Sequence, residues 1–189
     1  PTSRDRNYLL ILLVVLVFIL LVIPLLPEST ASRNFLKLGV TILMLVAANA
    51  TERPKVVLFA GLAAAGLVIP LDWHLVPFVS AVWVGTFVWI FESAFFFTMA
   101  ALILVSVVRK HLATANSIYG AISAYLLIGL AWTLLYVGTA RSNGDSWAID
   151  GLPMLSDGVG EIHLFSQFVY FSFVTMSTLG YGDLVPQAP

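Results

Sequence analysis

The sequence predicts an all-α membrane protein: five transmembrane helices followed by a short re-entrant helix and a glycine-containing turn. Three observations predict it. Of the 189 residues, 60% are hydrophobic and only 10% are charged, where soluble domains carry about 25% charged residues. The apolar residues are gathered into runs long enough to cross a hydrocarbon core of about 30 Å. Near the C-terminal end, an aromatic run leads into Thr178-Leu179-Gly180-Tyr181-Gly182-Asp183. A net charge of -1 offers no basic surface for nucleic acid, and the absence of cysteine removes disulfide and thiol chemistry.

The first run, 8–26, follows Arg4 and Arg6 and ends at Pro24 and Pro27. It is longer than the core of a signal peptide, which is about 7–15 residues. Runs 35–50 and 56–71, separated by Thr51-Glu52-Arg53-Pro54-Lys55, read as a helical hairpin. Ala60, Gly61, Ala63, Ala64, Ala65 and Gly66 give its second arm a small-residue face for close packing.

The run 76–108 is the ambiguous one. As a single helix it extends about 50 Å, more than one simple span needs. It carries one charge, Glu92, close to the aromatics Phe87, Trp89, Phe91, Phe95, Phe96 and Phe97, which suit an interface level. A charge at the bilayer centre costs about 2.5–3.5 kcal/mol, so Glu92 is a candidate functional acid unless it lies at that interface.

Charge bias decides the number of spans. With five spans and the N-terminus inside, Arg4, Arg6, Arg53, Lys55, Arg109 and Lys110 face the cytoplasm, against Arg33, Lys37 and Arg141 outside. Splitting 76–108 into two spans removes the excess, so the positive-inside rule favours five. The fifth span is 117–137, with Gly120, Ala124 and Gly129 allowing close approach. The polar stretch 138–161 then lies outside, and its Asp145, Asp150, Asp157 and Glu161 read first as a solvated loop, though such a bias would also mildly concentrate cations at a mouth. His74, His111 and His163 show no metal-ligand spacing, and no nucleophile–base pattern supports an enzyme.

The turn at 178–183 carries its own chemistry. A pore that passes potassium must replace the ion's hydration shell with oxygens, and a row of backbone carbonyls does so. Carbonyls face one way along consecutive residues only if the backbone enters conformations that glycine alone tolerates freely, which accounts for Gly180 and Gly182 around Tyr181. A helix ending near Met176 directs its partial negative end at an approaching cation.

Residues 166–186, SQFVYFSFVTMSTLGYGDLVP, resemble the pore helix and selectivity filter of the potassium channel family, whose filter reads Thr-(Val/Ile/Leu)-Gly-(Tyr/Phe)-Gly-Asp. The resemblance implies K+ coordination at Thr178, Leu179, Gly180 and Tyr181, with Gly182 completing the filter. It implies supporting roles for Asp183, Tyr170, Thr175 and Ser177. Tyr170 and Phe171 stand where many members have a Trp pair, so a Tyr170–Asp183 hydrogen bond would replace the usual Trp–Asp one. Val174 stands where some members carry Glu.

The resemblance is looser over 117–165 and one of arrangement alone over 1–116. It implies a four-helix domain at 1–112, similar in layout to a voltage sensor but without arginines along 76–108. The pore domain follows at 113–189. It further implies a homotetramer in the plasma membrane, multi-pass with a cytoplasmic N-terminus, conducting K+ passively and without a cofactor. Members continue into an inner pore helix that this sequence lacks, so the sequence reads as a fragment. The rival readings are a potassium uptake transporter subunit and a non-conducting regulatory subunit.

Overall fold

The computed structural model describes residues 3–50, 66, 82–109, 114–142, 146–149, 152–153 and 160–187. Four helices among them are long and apolar enough to cross a membrane. Helix α1 (Ser3–Val22) passes into a 3₁₀ turn (Ile23–Leu25) containing Pro24, where a missing N–H is harmless in a first turn. Ser29 then caps α2 (Thr30–Asn49), its hydroxyl accepting from the Ser32 N–H at 3.1 Å. Helix α3 (Val82–Arg109) runs unbroken through Glu92, and α4 (Ala115–Ser142) extends well past the expected end at Val137. Helix α5 (Glu161–Met176) is the short one, and it ends where the sequence places it.

The expected span 56–71 lies outside the described residues, apart from Gly66, which is exposed. So do the first residues of 76–108. Glu92 is buried against protein rather than presented to lipid. On the next residue, the Ser93 hydroxyl donates to the Ala131 carbonyl at 2.8 Å, tying α3 to α4.

One feature departs from an all-α chain. Strands β1 (Trp147–Ile149), β2 (Leu152–Pro153) and β3 (Leu184–Pro186) form a three-stranded antiparallel sheet in the order β2-β1-β3. The strands are too short for hydrophobic periodicity to mark them.

Helix α4 is the centre of the packing. Helices α1, α3 and α5 all lie against it, and one buried core runs from Leu9 and Leu12 on α1 through Ile103, Leu127 and Leu134 to Phe165 and Phe168 on α5. Small residues on α4 make the approach possible. A Cβ at Gly120 would meet Val107 at 2.7 Å and Leu9 at 3.5 Å, and one at Gly138 would meet Trp89 at 3.0 Å.

Candidate functional site

The site is the turn that follows α5, together with what holds it from behind. The last turn of a helix leaves carbonyls without intrahelical partners, and here the turn itself supplies the donors. The Ser177 N–H bonds the Phe173 carbonyl at 2.9 Å, and the Thr178 N–H bonds Thr175 at 3.0 Å. The N–H groups of Leu179 and Gly180 both reach the Val174 carbonyl, at 3.1 and 3.5 Å.

These bonds fix the carbonyls as well as the amides. In a trans peptide the N–H of one residue and the C=O of the residue before it point opposite ways, and the described chain has no cis bond. With the amides of 178, 179 and 180 turned back to α5, the carbonyls of Ser177, Thr178 and Leu179 face away from it. The backbone continues the pattern: φ is +60° at Thr178, +53° at Gly180 and +76° at Gly182, and it is not positive at Leu179 or Tyr181 between them. Such alternation gathers N–H groups on one side of the chain, and so sets the carbonyls on the other.

Two of the three positive-φ positions are glycines, which adopt that region without steric penalty. Thr178 is the exception. A β-branched residue there is strained, and such strain persists only where the surroundings impose it. The Thr178 N–H bond to Thr175 and the following amides on Val174 are those surroundings.

The turn is bare on its outer side. Leu179 is 60% exposed and Tyr181 69%, and no atom lies within 4 Å of a Cβ built on Gly180 or Gly182. The turn lies on the surface of the chain.

Behind the turn, the Tyr170 hydroxyl donates to Asp183 Oδ2 at 2.8 Å. That hydrogen bond, then burial and then the Asp183 charge, raise the Tyr170 phenol above its ordinary value, so it remains a donor at neutral pH. Of the other candidates, Thr175 contributes its carbonyl, and the Ser177 hydroxyl donates to the Val174 carbonyl at 3.1 Å. Glu92 is buried on α3, an element apart from this turn.

Several residues outside the expected site hold α5 in place, and of these the sequence marks Gly129 as a point of close approach. The Thr133 hydroxyl lies 2.9 Å from the Gly129 carbonyl, 3.3 Å from the Phe168 carbonyl and 3.2 Å from the Ser172 hydroxyl, knitting α4 to α5. The Phe173 ring sits where a Cβ on Gly129 would be, 2.5 Å away. Trp147 of β1 stacks edge-on against Tyr136, Phe168 and Phe171, with centroids 4.9–5.2 Å apart. Strand β3, directly after Asp183, pairs with β1, and the Gln187 N–H adds a bond to the Ser146 carbonyl at 2.8 Å. The turn is therefore anchored at both ends, by α5 before it and by the sheet after it.

The N-terminus of α5 has an acceptor from far away in sequence. Glu28, in the link between α1 and α2, accepts from the Ile162 N–H at 3.2 Å and the His163 N–H at 3.2 Å. The only signals in the sequence were an acid in a proline-bounded link and a glycine just before the helix.

Comparison with known proteins bears on this same region. The model of a family described as "Ion channel" matches residues 145–189, which take in β1, α5, the 178–183 turn and β3. No curated protein and no solved structure matches the chain. Residues 145–189 are thus similar to an ion channel domain, in a chain whose described residues include four helices long and apolar enough to cross a membrane.

Proposed function

We propose that the chain is a subunit of a potassium-selective channel, with Thr178–Gly182 as one of four filter strands around a common axis. The observation that carries the reading is the backbone of the turn: amides drawn back to the end of α5, φ alternating in sign, and carbonyls facing an open surface. A single row of carbonyls covers one side of an ion, and closed rotational symmetry supplies the rest. Stripped of water, K+ would then be held by carbonyls of Thr178, Leu179, Gly180 and Tyr181 in each subunit. The C-terminal end of α5 adds partial negative charge behind the row. Transport in this reading is passive, since the residues only replace one oxygen shell by another.

The test is bilayer recording of the purified protein in bi-ionic K+/Na+ solutions. The expected result is a reversal potential close to that of K+, with Gly180→Ala or Gly182→Ala abolishing the selective current. Equal permeability to the two ions in the unmutated protein would overturn the reading.

A further inference from the structure

We infer that Glu28 is a positioning residue for the filter: its carboxylate is the N-terminal cap of α5, and it couples the α1–α2 link to the turn at the far end of that helix. The inference rests on the proposed channel reading for its consequence, though not for the contact itself.

Helix α5 starts without a cap of its own. Its N-cap residue is Gly160, and no side chain there bonds the first amides. At φ -75° and ψ 163°, Gly160 is in extended backbone that any residue adopts, so glycine is not required for conformation. It is required for room, because a Cβ on Gly160 would collide with the Glu28 carboxylate. The missing side chain and the distant carboxylate fill one position between them. Glu28 takes the amides of Ile162 and His163, which a capping Ser or Asp at Gly160 would otherwise serve. Its negative charge also sits at the positive end of the helix dipole.

The link that carries Glu28 is stiff. Pro24 lies in the 3₁₀ turn, the Leu26 N–H closes on the Ile23 carbonyl at 3.1 Å, Pro27 precedes Glu28, and Ser29 begins the cap of α2. Ile23 and Ile162 are both buried beside this contact. At the other end, α5 is a rod of about 24 Å whose last carbonyls, on Phe173, Val174 and Thr175, take the amides that orient the turn. Displacement of its first turn is therefore delivered to the filter.

The arrangement predicts reciprocal rescue, tested on the full-length tetramer by hydrogen exchange over 161–165 and by single-channel recording in K+. Glu28→Ala should speed exchange of these amides about five-fold, as loss of a helix cap does, and shorten channel openings. Gly160→Ala alone should do the same, because its methyl group displaces the carboxylate and offers no acceptor in its place. The double variant Glu28→Ala/Gly160→Ser should recover slow exchange, since the serine now has room to cap, and Glu28→Gln, which keeps the shape and one acceptor, should fall between. Unchanged exchange in Glu28→Ala, or a double variant no slower than the singles, overturns the cap. Altered exchange with wild-type opening times overturns the coupling to the filter. If the unmutated protein fails to select K+, the channel reading falls while the exchange experiment still judges the cap.

Discussion

The Tyr170 hydroxyl is the one polar side-chain contact that reaches from α5 across to Asp183, at 2.8 Å, among the described residues. Because that bond raises the phenol's value in the folded state, its contribution is complete below the free phenol value of about 10 and is lost as pH rises through the higher bound value. In the proposed channel, Tyr170→Phe should therefore shorten the time to loss of current at neutral pH while leaving the proposed K+ over Na+ selectivity in place. Its behaviour should also become insensitive to alkaline external solution, where the wild type declines. Current recordings at pH 7 and above 10 check both points. This contact was legible from the sequence because both partners lie within one motif. Glu28 was not, since it meets Ile162 and His163 from 134 and 135 positions away and no local pattern encodes that meeting.

Among elements, the α4–α5 contact decides where the turn sits. Gly129 and Phe173 interlock there, so Gly129→Ala overpacks the contact and should cost about 1–3 kcal/mol. Thermal unfolding in detergent should show a lowered midpoint, and combining it with Phe173→Leu should recover most of the loss. The helices themselves were readable as apolar runs, and the end of α5 at Met176 was placed correctly. Three things were not. Helix α4 continues to Ser142 through Gly138, Thr139 and Arg141, residues that read as loop. Arg141 there comes within 3.9 Å of Glu161 at the start of α5, a contact between elements that hydropathy does not see. Strands β1 and β3 pair across more than thirty intervening residues, and their partner, not their composition, makes them strands.

At the scale of the molecule, two expectations follow from the proposed channel. Crosslinking in mild detergent should give a ladder ending at four subunits, and a stable dimer as the end point would contradict the assembly. Voltage should act weakly on opening. Moving one elementary charge across the membrane is worth about 2.3 kcal/mol per 100 mV, and steep gating needs several such charges per subunit. Helix α3 carries no Lys or Arg before Arg109 in its last turn, where a long side chain reaches headgroups without crossing the field. Open probability from about -100 to +100 mV should change shallowly, and a steep curve flattened by Arg109→Gln would contradict this.

The open face of Leu179–Gly182 has a consequence for mixtures of subunits. If the conducting structure exists only where four such faces close on one another, a subunit that folds and assembles but carries a damaged strand disables every ring it enters. Intact subunits then count by their fourth power: an equal mixture of wild type and Gly180→Ala would leave about one ring in sixteen wholly intact. Co-expression at increasing ratios should trace that steep curve in K+ current, where a pore formed within each subunit would decline in direct proportion.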